Sequence, residues 1–386
     1  MAGFQRGRHV PLHPLDRFEV AMGRQLRADL QQRFVEAERV GTCVTPISTN
    51  DTRRLRLAVK NGNLIEVAHH VYARPGYWAT LKQTQRSLHI LRALSAAHPS
   101  WVFCGPSAAL AFGLSVSYQL LSNVHVLTSK KSHTRSGDGI CRHISGKRET
   151  TVVNGVTVTT IEQTVFDCLR LADFRHGLAI ADSVLHLGLA SKEDLLAFIE
   201  RQDKRVSGRK QALKTMSHAD KRAESGGESI ARATIIEQGF MLPELQHVVH
   251  DPVDNSIEFR VDFWWEVEGQ PTIIGELDGH EKYIEPAMTK GKSIVEVMAG
   301  ERLRESRISG TGAKVMRFSY ADVLNTFYFS HLLESFGVPR VVADSEPPAR
   351  HVSPTEACVL EAMRNEALLY WEMYKSAEVC SSAKRS

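Results

Sequence analysis

The chain has 386 residues, long enough for two or three domains of common size, each with a full core. Hydrophobic residues make up 42% and charged residues 24%, an ordinary globular composition that excludes wholesale disorder. The net charge of +4 conceals a split: residues 1–223 carry 32 basic and 18 acidic side chains (+14), and residues 224–345 carry 11 and 20 (−9).

Residues 16–40 read as an amphipathic helix, with Leu26, Leu30 and Phe34 at four-residue spacing. Ser48-Thr49-Asn50-Asp51 is a run of good N-caps before a short basic helix, Thr52–Lys60, which Asn61-Gly62 ends. Leu64–Val67 and His70–Ala73 then predict two short strands. Helix, basic helix and small hairpin in that order is the layout of a winged helix-turn-helix. On its recognition helix Arg53, Arg54, Arg56 and Lys60 would meet DNA phosphates and guanine edges, and binding would weaken with salt. The other reading of these four is a basic, solvated helix face. Residues 81–200 alternate in type: helices over Gln83–Ala97, Ser107–Gly113, Ile161–Leu171 and Gly177–Leu187, and strands over Val124–Thr128 and Gly155–Thr160. Residues 201–223 are basic and poor in large apolar side chains, so a linker or a solvated helix is expected there.

From residue 224 the pattern changes. Gly226-Gly227-Glu228 opens a helix that Gly239 stops, and strands follow over Gln246–His250, Ile257–Trp265 and Thr272–Leu277, with a turn at Glu268-Gly269-Gln270-Pro271. A helix over Val295–Arg307, a strand over Lys314–Phe318 and a helix over Tyr320–Ser335 complete this region. Ser353-Pro354-Thr355-Glu356 predicts the start of a last helix within 346–386.

Three features limit the function classes. Six cysteines lie far apart with no C-x-x-C pair, which argues against a disulfide scaffold or zinc ribbon and fits a reducing, cytoplasmic setting. Residues 1–14 lack an apolar segment of the signal-peptide kind. The stretch from Ser100 to Ser129 lacks Asp, Glu, Lys and Arg, but Gly105, Pro106 and Gly113 interrupt it, so a buried helix and strand are expected in place of a membrane span.

The chemistry concentrates in Phe259–Trp265 and Ile273–Lys282. Two apolar strands each carry a carboxylate inside their pattern. If the turn centres on Gly269, Asp262 and Glu276 become direct cross-strand neighbours, about 4.5–5.5 Å apart at Cβ. Like charges there repel, and a divalent cation between them reverses the sign. Period two puts Asp278 on the face of Glu276, and a helical turn from Asp278 would return Lys282 to that side. Hard oxygen ligands suit Mg²⁺ or Mn²⁺, which activates water and stabilises charge on a phosphodiester oxygen. Asp262 and Glu276 are the candidate metal ligands; Asp278, Lys282 and Glu228 join them as candidate catalytic residues. The alternative is a set of solvated acids at strand ends, and Glu301, Arg302, Arg304, Glu305 and Arg307 read as a salt-bridged helix face.

Residues 224–320 resemble the very-short-patch-repair-like branch of the PD-(D/E)xK nucleases. The matching residues are Glu224–Ser229, Arg260-Val261-Asp262-Phe263-Trp264, Gly275-Glu276-Leu277-Asp278-Gly279 with Lys282, Glu301-Arg302 with Arg304-Glu305, and Val315-Met316-Arg317-Phe318. Residues 45–190 resemble the AbiEi-type antitoxin domain through Val71-Tyr72-Ala73, Gly105–Ala109 with Gly113, and Val158-Thr159-Thr160 leading to Thr164-Val165 and Asp167. The resemblance implies an α/β (α+β) chain: a winged helix-turn-helix in 1–80, an AbiEi-like middle domain in 81–200, a basic linker in 201–223, a restriction-endonuclease-like domain in 224–345 and a helical extension. It departs from the family pattern where Asp278 replaces the usual lysine, and where His69-His70 stands in place of the arginine and glycine of relatives. The expected activity is a Mg²⁺-dependent DNA endonuclease in phage defence or a toxin–antitoxin setting. The alternative is an antitoxin or transcriptional regulator with an inactive nuclease-like domain. DNA and a cognate toxin are the candidate partners, and no membrane is.

Overall fold

A computed structural model describes residues 28–128, 139–145, 148–278 and 294–341. The start of the first expected helix, Lys282 and the last expected helix lie outside these residues. The chain is mixed α/β, and its described residues fall into two compact units that divide between Ile230 and Ala231. Among the described residues, no helix is long and apolar enough to cross a membrane.

The first unit opens with helices α1 (Ala28–Arg39) and α2 (Thr49–Lys60) and an antiparallel hairpin of β1 (Ile65–Ala68) and β2 (Val71–Ala73). The Ser48 hydroxyl accepts from the Asp51 amide at 3.1 Å and starts α2. Leu30, Phe34, Val44, Leu55, Leu64 and Tyr72 bury a small core between these elements. The two-residue hairpin loop is His69-His70. His70 takes φ 59, a left-handed conformation that favours glycine, and its amide donates to Glu66 Oε1 at 2.8 Å.

Helices α3 (Pro75–Thr80), α4 (Gln83–Ala97) and α5 (Gly105–Phe112) follow. Strands β3 (Val124–Thr128) and β4 (Ile140–Ile144) pair in parallel, and β5 (Thr150–Val153) and β6 (Val156–Thr159) pair antiparallel. Phe103 joins the two pairs. It bridges Val126 on β3 and Val158 on β6; its amide donates to the Thr157 carbonyl at 2.9 Å, and its carbonyl accepts from the Thr159 amide at 3.0 Å. Helices α6 (Ile161–Leu171), α7 (Phe174–His186), α8 (Lys192–Arg201) and α9 (Arg209–Ser217) complete the unit.

Two expectations about organisation are corrected. Residues 1–80 and 81–200 are not separate bodies, because Cys43, Val71 and Ala73 share one core with Leu91, Phe103 and Leu169. Residues 201–223 are not a linker or a solvated helix. In α9, Ala212, Thr215 and Met216 are fully buried, and Gly208 passes so close to Arg170 that a Cβ there would lie 2.3 Å from its carbonyl oxygen. The exposed lysines of this segment, Lys210 and Lys214, belong to a helix that packs through Ala212, Thr215 and Met216.

The division itself falls inside α10 (Gly226–Glu237). The second unit contains a four-stranded sheet in the order β10-β9-β8-β7, with β7 Glu244–His250, β8 Glu258–Trp265, β9 Ile273–Asp278 and β10 Lys314–Ser319. β7, β8 and β9 run antiparallel to their neighbours, and β10 lies parallel to β9 after the crossover through α11 (Ile294–Ser309). One sheet face presents Phe263, Trp265, Met316 and Phe318, all buried. Gly275 lies against them: a Cβ would stand 3.0 Å from Trp265 and 3.2 Å from Phe263. Helices α12 (Tyr320–Leu324) and α13 (Thr326–Phe336) follow, split at Asn325, which caps the second through the Tyr328 amide.

Candidate functional site

The opposite sheet face carries the acids. β8 and β9 pair with Phe263 opposite Gly275 and Trp264 opposite Ile274. The backbone ladder stops at Phe263 and Gly275, and beyond that pair Asp262 and Glu276 are near enough for the Asp262 charge to act on Glu276. β7 continues the line, since Leu245 faces Phe263 and His247 faces Val261, which leaves Gln246 beside Asp262. On the other side Arg317 of β10 is opposite Glu276. Gln246, Asp262, Glu276 and Arg317, one from each strand, thus form a polar row across the sheet.

Each acid in this row has a defined partner. Asp262 Oδ2 accepts from the Leu277 amide at 2.9 Å, and Oδ1 lies 3.5 Å from Gln246 Nε2. Gln246 takes φ 55, a conformation that costs a non-glycine residue about 1–3 kcal/mol and that clusters at functional sites. Glu276 is largely buried, and Arg304 of α11 grips both its oxygens, at 2.9 and 3.2 Å, while also donating to the Arg260 carbonyl. Burial pushes the Glu276 carboxyl above the usual range; Arg304 and Arg317 pull it down, and the Asp262 charge adds to the rise. Asp278 lies on the same face as expected, paired with Arg317 through Nε at 2.9 Å and through Nη2. Arg317 also meets Glu305 at 3.3 Å and Glu301 at 3.6 Å. Burial works against its charge, and Asp278 with the two glutamates more than reverses this, so its pKa is raised.

The donor set fits a hard divalent ion in one respect and resists it in another. Two carboxylates from adjacent strands, one of them buried and shifted up partly by the other's charge, is the arrangement such an ion relieves. Arg304 already neutralises Glu276, so an ion there must share or displace its guanidinium. Glu228, in the first unit, has a local role. Its carboxylate accepts from the Glu224 amide at 3.0 Å and the Ser225 hydroxyl at 2.8 Å, while its amide donates to Ser225 Oγ, a reciprocal cap at the start of α10. Lys282 lies outside the described residues.

Sequence reasoning overlooked Gln246, Arg304 and Arg317 as members of the row. The signals were present: Glu301, Arg304, Glu305 and Ile308 repeat at three- and four-residue spacing, which aims one face of α11 at the sheet. The expectation of a salt-bridged helix face therefore holds only in part, because Arg304 pairs with the sheet and Arg307 reaches the buried Asp251 at 3.2 Å.

On α2, Arg53, Arg56 and Lys60 are exposed at spacings that place them on one face. Arg54 turns to α1 and pairs with Asp29 at 2.6 Å.

No family model matches the chain, and no solved structure matches it. Over 214 residues it is 29% identical to the uncharacterized proteins MT2308 and Rv2248 of Mycobacterium tuberculosis, from strains CDC 1551 / Oshkosh and ATCC 25618 / H37Rv; the match covers 55% of this chain and 74% of each relative.

Proposed function

We propose that the chain is a cytoplasmic DNA-binding protein whose second unit is a metal-dependent, endonuclease-like phosphodiesterase, acting in phage defence or a toxin–antitoxin setting. The observation that carries this reading is the proximity of Asp262, which accepts from the Leu277 amide, to the buried Glu276 carboxylate at the ends of two adjacent strands. The chain order α10, β7, β8, β9, α11, β10, with β10 parallel to β9, supports the restriction-endonuclease-like reading. Asp262 and Glu276 would hold Mg²⁺ or Mn²⁺. Bound there, such an ion supplies Lewis-acid stabilisation of a phosphodiester oxygen and a more acidic water. Arg317 would offer further positive charge to a phosphate near Asp278. Arg53, Arg56 and Lys60 on α2, in a winged-helix arrangement with the β1–β2 hairpin, would meet the DNA backbone.

The test is incubation of the full chain with supercoiled plasmid and Mg²⁺ or Mn²⁺. Nicking or linearisation that Asp262→Ala abolishes is expected, and equal cleavage by both proteins rejects the assignment. Replacement of Arg53 and Arg56 by alanine is expected to weaken DNA binding and flatten its salt dependence by roughly one slope unit per lost phosphate contact. Unchanged binding would move the interface elsewhere.

A specific observation favours the second reading, an antitoxin or regulator with an inactive nuclease-like unit. Arg304 engages both oxygens of Glu276, and Arg317 takes Asp278, so two of the three acids already have cationic partners. Sequence-specific, salt-sensitive binding to its own promoter without cleavage, together with a co-purifying cognate toxin, would decide for it.

A further inference from the structure

The first unit holds a side-chain cluster that the carboxylate row does not involve. β3 and β4 pair in parallel with His125 opposite Cys141 and Leu127 opposite His143. Residues opposite one another share a face, and period two puts His143 on the same face as Cys141. All three side chains are half-buried, and ligand atoms from each lie within 4.8 Å of one another. His125 Nδ1 and His143 Nε2 are 2.9 Å apart, with the rings stacked at 5.1 Å between centroids.

The position of His125 is fixed on both sides of its backbone. Its amide donates to the buried Ser107 hydroxyl at 2.8 Å, and its carbonyl accepts from the Cys104 amide at 3.1 Å. The side chain cannot leave the cluster without breaking these or changing rotamer. Burial lowers the pKa of His125 to about 4, with His143 adding to the effect, and burial also lowers His143. Imidazole ligates a metal in its neutral form. Asp167 of α6 lies close enough for its charge to act on His143, and it is held by Arg170 at 3.0 Å.

We infer that His125, Cys141 and His143 form a binding site for a borderline divalent transition metal of the Zn²⁺ class, with the fourth position open to solvent. Two imidazole nitrogens and one thiolate select such an ion over Mg²⁺ or Mn²⁺. Tetrahedral ligation at about 2.0–2.1 Å separates two ligating nitrogens by about 3.3 Å. The two rings need to part by only a few tenths of an ångström, and the sulfur closes in by a rotamer adjustment. On binding, the ring that donated the shared hydrogen bond carries its proton on its other nitrogen, and the thiol proton of Cys141 is released to solvent. The ion then replaces a single neutral hydrogen bond with three ligand bonds. This site is independent of the carboxylate row and of any DNA cleavage.

The test uses the full chain stripped with a chelator, dialysed and titrated with Co²⁺, followed by displacement with Zn²⁺. One tight equivalent is expected, with thiolate-to-cobalt charge-transfer absorption that Zn²⁺ bleaches. Cys141→Ser is expected to lose that absorption and to bind Zn²⁺ at least about 100-fold more weakly, at the upper end of what loss of an outer-shell partner costs. The Asp262→Ala variant is expected to retain it. Absence of a tight equivalent overturns the inference, and so does charge-transfer absorption that survives in Cys141→Ser. Alkylation of the wild-type chain followed by peptide mapping supplies a second readout that does not depend on the folding of that variant. Zn²⁺ is expected to protect Cys141, and equal alkylation with and without Zn²⁺ overturns the site.

Discussion

Arg304→Gln is the most informative single change. The substitution removes two charge-assisted hydrogen bonds to Glu276 and one to the Arg260 carbonyl. A hydrogen bond to a charged group contributes about 1.5–3 kcal/mol when buried. The Arg304 side chain is 34% exposed and that of Glu276 13%, so solvent screens part of this. A net loss of about 2 kcal/mol is expected, which lowers the melting temperature of a unit of this size by about 10 °C. The same change frees both Glu276 oxygens. If Asp262 and Glu276 hold a divalent ion, that ion no longer competes with a guanidinium, and the variant gains more from Mg²⁺ than the wild type does. At a concentration of 100 times the dissociation constant the gain is about 2.7 kcal/mol, enough to recover the loss. Thermal unfolding followed by circular dichroism, with and without Mg²⁺, reads both effects. The reasoning is refuted if the variant melts like the wild type in chelator. It also fails if Mg²⁺ stabilises Arg304→Gln no more than it stabilises Arg304→Gln with Asp262→Ala.

Gly275→Ala is expected to destabilise the second unit by about 1–3 kcal/mol, since its Cβ would press on Trp265 and Phe263 in a filled face; a shift of the urea midpoint measures it. Met216→Ala is expected to cost about 2–5 kcal/mol because the side chain is fully buried, and an unchanged midpoint would return residues 201–223 to the status of a solvated segment. His89 is buried on α4 between the Tyr77 hydroxyl at 2.9 Å and the Gln85 carbonyl at 2.7 Å. Burial lowers its pKa, with Arg92 adding to the effect and the Gln85 bond opposing it. The unfolded chain then binds the proton more readily, so stability present at neutral pH is lost as the pH falls through the ordinary histidine range toward the folded value. His89→Gln should flatten that slope in pH-dependent melting.

The elements legible in the sequence were those whose buried positions keep one period. Gln83–Ala97, Val124–Thr128 and Ile161–Leu171 have the bounds expected of them. β4 was missed because its alternation, Ile140-Cys141-Arg142-His143-Ile144, mixes polar and apolar side chains on both faces, and no strand faces a continuous core there. The helix Arg209–Ser217 was hidden by its packing residues, Ala212, Thr215 and Met216, which carry little hydrophobic signal beside the surrounding lysines and arginines. The β8–β9 register as far as Phe263 and Gly275 could be read from one turn and period two. The spacing of α11 placed Arg304 on the face toward the sheet but not against a particular acid, and Gln246 could not be assigned at all, because its place depends on its own left-handed conformation in β7. The histidine–cysteine cluster escaped for a related reason. Its C-x-H pair lies on one strand and its third member on a parallel neighbour, and parallel pairing leaves no short-range spacing to find.

The short joint of Val102, Phe103 and Cys104 bears on how this fold can change over generations. An exposed connection such as residues 186–189 accepts an extra residue more readily than a segment that sets strand register. An insertion or deletion between Trp101 and Cys104 has no such outlet. Strand periodicity would turn the Phe103 side chain from the core toward solvent and at the same time pull its amide and carbonyl off Thr157 and Thr159. Both strand pairs would lose their common seam in one step. Length variation among descendants of this chain should therefore avoid residues 101–104 and collect in the turns around them.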